Sequence, residues 1–382
     1  MSSGLERRYD VDWLRFLAIC AVFLFHCARF FDEQDWHVKN AQTDFGMTVF
    51  VIVFAQWIMP IFFILSGIST YYGLGAKQQN GPYLWERFKR LMIPLIFGVF
   101  AMIPFQVYYE RVSHGQFAGS FFDFFPRYFD GFYAFGGNFA WMGLHLWYLL
   151  FLFIFTLLTL PLFAFLKKPC GQRLIAGVAD LLAKPGAILL IFIAVTVLDF
   201  ALLPNSIMGT RDMGGWNLFT YLLLYIYGYI IAGDTRFRET IQADRRAALL
   251  LGLISLAILY YWSVNIGRSP AGYNTGHMVF TAVRCLNSWC FLIAILGYGS
   301  KYLTFNNNLL KYTSRLILPF YILHQTVIVT IGFYVVQWDA GITLKYLVIS
   351  TSSLVVIMLL YEILIKRVSL LSFLFGMKSK KA

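Results

Sequence analysis

The chain has 382 residues, 59% of them hydrophobic and 19% aromatic, and only 13% charged. A soluble globular protein carries about a quarter charged residues, so this composition excludes a soluble enzyme with a wetted surface and points to a membrane protein. Thirty-one Lys and Arg against nineteen Asp and Glu leave a formal charge of +12, which by itself would suit nucleic acid, but the placement of the charges excludes that partner.

A helix needs about 20 mostly apolar residues to cross a hydrocarbon core about 30 Å thick. Ten segments meet that need in chain order: Trp13–Phe31, Thr48–Tyr72, Leu91–Tyr109, Leu144–Leu166, Ala187–Leu203, Leu218–Ala232, Ala247–Asn265, Met278–Tyr298, Leu316–Val336 and Thr343–Ile365. The sixth is the shortest. No segment alternates with a period of two, which excludes a β-barrel. Arg15 and His26 interrupt the first run, which is too long for the apolar part of a cleaved signal. With the N-terminus inside, twenty-two basic residues fall in inner loops and tails and seven in outer ones, and basic residues favour the cytoplasmic side. The predicted fold is therefore all-α: one polytopic membrane domain over residues 1–382, about ten transmembrane helices, both termini cytoplasmic. Most of the +12 is orientation, and the lipid bilayer is the partner it implies. Cys20, Cys27, Cys170, Cys285 and Cys290 lack the spacing of a metal site or disulfide framework and read as small hydrophobes. No metal is expected.

An ionisable group inside the membrane costs about 2.5–3.5 kcal/mol on insertion scales, so each is a functional candidate. Arg15 lies near the inner end of the first span and His26 in its outer half. Asp199 is near the outer end of the fifth, Arg284 about two turns below the outer surface in the eighth, His324 near mid-depth in the ninth, and Glu362 toward the inner end of the tenth. Arg15 and His26 are 11 residues apart, about three turns with a rise of about 16 Å, and so share one helix face. Asp12 and Arg29 extend that face at three-residue spacing. The pattern reads either as a polar seam through the membrane or as a snorkelling arginine plus a histidine satisfied by a neighbouring helix. All six histidines (His26, His37, His114, His145, His277 and His324) fall at mid-depth or outward, and histidine is the commonest general base. The plainer alternatives are solvated loop residues for His37, His114 and His277, and an interfacial residue beside Trp147 for His145. Arg87 and Arg90 place two guanidinium groups on one helix face, suited to phosphates or simply to topology. The stretch from Glu110 to Gly143 holds 12 aromatics in 34 residues. Phe121, Phe122, Phe124, Phe125, Tyr128, Phe129, Phe132 and Tyr133 form either a carbohydrate groove or an amphipathic segment lying in the interface.

Taken together, these residues resemble acyltransferase family 3 of integral-membrane acyltransferases. The family's basic residue, ten intervening positions and histidine are reproduced by Arg15 to His26, and its Arg-x-x-Arg by Arg87 and Arg90. Its aromatic-Ser-Gly segment is similar to Phe62-Phe63-Ile64-Leu65-Ser66-Gly67. Further similar segments are Trp36–Asn40, His145–Leu150, Tyr321–His324, Leu360–Ile363 and Leu370–Phe375. The resemblance implies transfer of a short acyl group, succinyl or acetyl, from cytoplasmic acyl-CoA to a hydroxyl of an extracytoplasmic glycan, in the cytoplasmic (inner) membrane. It implies that Arg87, Arg90 and Lys89 hold the donor's phosphates, that His26 is the general base, and that Arg15, with Asp12, orients the seam or touches the donor. Trp36, His37, His145 and Trp147 would face the substrate. Depth adds His324 and Glu362 as further polar members and Arg284 as a stabiliser of the thioester oxyanion. A different class, a secondary transporter or flippase for a glycan or anion, also uses intramembrane charges, although no repeat or matched pair of broken spans is present. A non-catalytic membrane subunit is the third reading.

Overall fold

The computed structural model describes residues 7–76, 80–202, 214–267 and 273–377. Apolar surroundings offer a backbone no water to bond, and a helix satisfies its own N–H and C=O groups. The chain is accordingly 79% helical, with no strand among the described residues. The helices are α1 (Tyr9–Ala28), α2 (Phe45–Ala55), α3 (Ile58–Ala76), α4 (Asn80–Ala101), α5 (Ile103–Ser113), a short α6 (Phe121–Phe124), α7 (Trp147–Leu166), α8 (Pro169–Leu182), α9 (Phe192–Leu202), α10 (Leu218–Ala232), α11 (Thr235–Asn265), α12 (Thr275–Tyr302), α13 (Asn308–Val335), α14 (Ile342–Leu360) and α15 (Ser369–Leu374).

Eight stretches among the described residues are long and apolar enough to cross a membrane, nine if the bent pair α8 and α9 counts as one. This revises the ten expected from sequence. The sixth segment does form, as α10, but its 15 residues rise only about 22 Å, short of a core about 30 Å thick. The second and third segments are each two helices, broken after Ala55 and at Met102. Pro104 stands in the first turn of α5, where its missing N–H leaves no helical bond unmade. Because α5 runs on to Ser113, Glu110 and Arg111 are helical and not part of the outer loop. Helix α8 was not anticipated, and the helix after it turns away by 113°. Of the basic residues used for orientation, Lys77, Arg211, Arg268, Lys378, Lys380 and Lys381 lie outside the described residues.

The chain divides into two compact units, each drawn from three stretches. The first comprises Met1–Ala18, Ala55–Tyr83 and Phe155–Leu310, and the second comprises Ile19–Phe54, Leu84–Ile154 and Lys311–Ala382. In the first unit α3 and α10 touch backbone to backbone. A Cβ on Gly67 would stand 2.0 Å from the Tyr225 carbonyl oxygen, and one on Gly228 2.1 Å from that of Ile64. Small residues allow such an approach, which raises dispersion contact where no hydrophobic effect drives helices together. Tyr225 adds a hydroxyl contact of 2.8 Å to Thr70 and one of 3.2 Å to Thr156. In the second unit the core gathers Phe30, Phe31, Ile322, Ile328 and Ile349, all fully buried, and Gly332 admits the Phe30 ring.

Gly67→Val and Gly228→Val are each expected to lower the thermal unfolding midpoint of the detergent-solubilised protein, with an overpacking cost of about 3 kcal/mol or more. Gly177→Ala on α8, whose added methyl meets nothing within 4 Å, is expected not to lower it and to raise it slightly, since Ala favours a helix over Gly.

Candidate active site

Three histidine rings meet in the second unit. His26 occupies the last turn of α1, and its ring centroid lies 5.2 Å from that of His324 on α13. His145 stands 5.0 Å from His324, its ring at 90°. Trp36 stacks on His26 at 5.9 Å and 19°. The backbone before α7 sets His145 in place: Gly143 and Leu144 both have positive φ, +80° and +46°. The second is a conformation few non-glycine residues adopt, and such strain persists only where packing enforces it.

Hydrogen bonds assign the rings different roles. The Nε2 of His145 lies 3.3 Å from the Ile322 carbonyl oxygen, and its Nδ1 lies 3.3 Å from the Gln106 side-chain nitrogen. The carbonyl can only accept and the amide nitrogen can only donate, so His145 carries its proton on Nε2 and has neither nitrogen to spare. Gln106 also donates to Thr326 at 2.7 Å, and the Tyr321 hydroxyl donates to the His145 carbonyl. On His324, Nδ1–H donates to the Tyr321 carbonyl three residues earlier, at 2.6 Å. That bond leaves Nε2 as a bare acceptor, buried and without a partner among the described residues. His26 likewise keeps a buried Nδ1 unpaired. Two adjacent imidazoles with uncommitted nitrogens are suited to taking a proton from a hydroxyl.

The loop from Arg29 to Asp44 holds Trp36 against His26. Asp32, fully buried, receives ion pairs from Arg29 and from Lys39, the latter at 2.6 Å. Arg29 also donates to the Asp35 carbonyl at 2.7 Å, and Lys39 to the Arg29 carbonyl at 2.8 Å. Burial pulls the Lys39 ammonium below its usual range even with Asp32 beside it. From α14, Lys345 reaches Asn40 at 2.8 Å. Next to Trp36, His37 pairs with Glu110 of α5, which also accepts from Tyr133 at 2.8 Å and from Arg111 at 3.2 Å.

The profile of acyltransferase family 3, described as an acyltransferase domain, matches residues 8–362. The chain belongs to that family. Curated relatives similar to it carry the name Glucans biosynthesis protein C. Those of Salmonella heidelberg (strain SL476) and Salmonella typhimurium (strain LT2) are each 23% identical, over 385 and 386 residues respectively. That of Salmonella paratyphi A (strain ATCC 9150) is 22% identical over 385 residues. Each alignment covers 97% of this chain and 95% of the relative. No solved structure matches significantly. With its apolar helices, this family member is a multi-pass membrane acyltransferase.

The structure brings together four of the residues singled out in the sequence, His26, His324, His145 and Trp36, and puts His37 beside them. Trp147 is buried at the start of α7, against Phe151. Arg15 belongs to the first unit, where it donates to the Leu65 carbonyl at 3.1 Å and to Ser69, with Asp12 at 3.8 Å. Arg284, in the same unit, lies 4.0 Å over the Trp216 ring and donates to the Gly215 carbonyl. On α4, Arg87 is half-buried while Lys89 and Arg90 are exposed, and Lys89 sits 5.7 Å over Trp85. Glu362 accepts from the Tyr312 hydroxyl and pairs with Lys366, both at 2.8 Å. Tyr312 and His324 are twelve residues apart on α13, about 18 Å of rise, so Glu362 stands well away from the histidines. Among the described residues no group of three His, Cys, Asp or Glu is arranged to hold a metal ion.

Sequence reasoning passed over Gln106, Thr326 and Glu110. Gln106 was visible as a lone amide within Ile103-Pro104-Phe105-Gln106-Val107, but only ionisable groups were weighed at that depth. Glu110 was assigned to a loop. Asp32→Ala, which strips the buried carboxylate from between Arg29 and Lys39, is expected to cost about 3–5 kcal/mol. A lower unfolding midpoint and faster proteolysis within residues 29–44 are the measurements that check it.

Proposed function

We propose that the protein is an O-acyltransferase of the cytoplasmic (inner) membrane, moving a short acyl group, succinyl or acetyl, from acyl-CoA to a hydroxyl of an extracytoplasmic glycan. The observation that carries this reading is the pair His26 and His324, with ring nitrogens unspent while both nitrogens of neighbouring His145 are committed. His26 acts as the general base. It takes the proton of the acceptor hydroxyl as that oxygen attacks the thioester carbonyl, and the proton passes to the departing CoA thiolate. The bare Nε2 of His324 beside it is a second acceptor that keeps the proton within the pair, and Trp36 orients the His26 ring. Arg87 and Arg90, with Lys89, hold the phosphates of the donor, since paired guanidinium forks match phosphate oxygens. Arg15 fixes the inner half of α1 through Leu65 and Ser69. In this reading Arg284 and Glu362, each committed to local partners, stabilise the helices that carry them. The basic-residue asymmetry supports cytoplasmic termini, and the name of the relatives supports a glucan as acceptor.

Mass spectrometry of envelope glycans from cells with and without the protein tests the reaction. His26→Ala and His324→Ala, at membrane levels matched to wild type, are each expected to lower acylation by about 10²–10⁴-fold. Wild-type acylation by His26→Ala would remove the proposed base, and glycan flux in proteoliposomes without acyl donor would replace the reaction with transport. Arg87→Ala combined with Arg90→Ala is expected to raise KM for acyl-CoA by about tenfold or more while the KM for glycan stays unchanged.

A further inference from the structure

The segment between α5 and α7 is knitted into a fixed shape. Arg111 donates to Asn138 Oδ1, to Gln116 Oε1 and to the Gly137 carbonyl, each at 2.8 Å. Gly137 passes so close to Gly131 that a Cβ there would lie 2.3 Å from the Gly131 carbonyl carbon. These bonds wall a cavity of about 410 Å³, lined in part by Arg111, Gln116, Phe117, Arg127, Asp130 and Asn138, a size within the range of small-ligand sites. Two of its charged groups are unspent. The Arg127 guanidinium is held 5.5 Å over the Phe117 ring, yet among the described residues it makes no hydrogen bond or ion pair, and neither does the Asp130 carboxylate.

A guanidinium only donates and an ionised carboxylate only accepts, whereas a hydroxyl does both. Neighbouring hydroxyls on one ring therefore satisfy the two groups at once. The opposite charges of Arg127 and Asp130 favour a neutral ligand over an anion, and the polar walls disfavour a lipid chain. The cavity is also tied to the histidines within the same unit. Arg111 bonds Glu110, Glu110 holds His37, and Trp36, next in the chain, stacks on His26.

We propose that this cavity is an acceptor subsite for a neutral hexose unit of the glycan, bound through its hydroxyls by Arg127 and Asp130 while another unit is presented to His26. The inference rests on the glycan acceptor of the proposed function. It is tested with the full chain in nanodiscs and fluorescently labelled linear gluco-oligosaccharides of four to eight units as probes. Arg127 and Asp130 are both exposed, so their replacement leaves the fold intact. Arg127→Ala and Asp130→Ala are each expected to raise the oligosaccharide Kd about tenfold. They should raise KM for glycan in the same proportion, with kcat and the KM for acyl-CoA unchanged. His26→Ala is expected to bind the probe as wild type does while transferring nothing. Wild-type Kd and KM in both cavity variants, or no probe binding by a wild type that acylates another acceptor, would overturn the subsite. Binding that depends on Arg127 and Asp130, in a wild type that transfers no acyl group, would uphold the subsite and overturn the acyltransferase reaction instead.

Discussion

A polar side chain carried into an apolar span has no water to return to, so it must be matched by a partner at the same depth or bear the cost of isolation, about 1–3 kcal/mol for a neutral group. The second unit follows this constraint atom by atom. Thr326, Gln106, His145, the Ile322 carbonyl and the Tyr321 hydroxyl close on one another. His324 spends its Nδ1 on the backbone of its own helix. Five buried side-chain atoms of this unit remain without a partner among the described residues: the Nε2 of His324, the Nδ1 of His26, the side-chain oxygens of Gln106 and Gln325, and the Ser353 hydroxyl. Unsatisfied buried groups are few in native structures and call for a reason. Two of the five lie on adjacent imidazoles.

The same constraint shapes the loop above the pair. A chain of residues between α1 and α2 covers buried backbone only because charged side chains bond its carbonyls. Asp32 gathers Arg29 and Lys39, and those two cations in turn bond the carbonyls of Asp35 and Arg29. The result is a rigid mount for Trp36 and His37. Glu110 extends that mount to Arg111 and so to the walls of the cavity beyond α5. Ion pairs from Arg111 through Glu110 to His37, and then the stacked Trp36, thus connect the cavity beyond α5 with His26.

The first span illustrates what spacing can and cannot convey. An interval of eleven residues puts Arg15 and His26 on one face of α1 by helical geometry alone, and it does so before any neighbour is known. The partners differ, however: Arg15 bonds the α3 backbone in one unit, and His26 packs against α13 and the Trp36 loop in the other. Ser66-Gly67 was legible as a motif, yet its physical reason appeared only when the carbonyl of Tyr225 was found against Gly67. Glu362 looked like a member of the polar seam from its depth, but Tyr312 and Lys366 claim it far along α13 from His324. Linear depth orders residues along the membrane normal and says nothing about which helices are neighbours.

The amino-acid sequence alone determined that the chain is helical and membrane-embedded, because a run of apolar residues long enough to cross a bilayer has only one way to satisfy its backbone. It also identified the family's paired signals, since Arg15 to His26 and Arg87 to Arg90 are fixed intervals on single helices. Tertiary structure decided which histidines meet and which tautomer His145 adopts. For His145 that outcome depends on Gln106 of α5 and the Ile322 carbonyl of α13 arriving from separate parts of the chain. These two contacts with His145 are set by helix packing, which no local pattern encodes, whereas the His324 contact with the Tyr321 carbonyl lies within one helix.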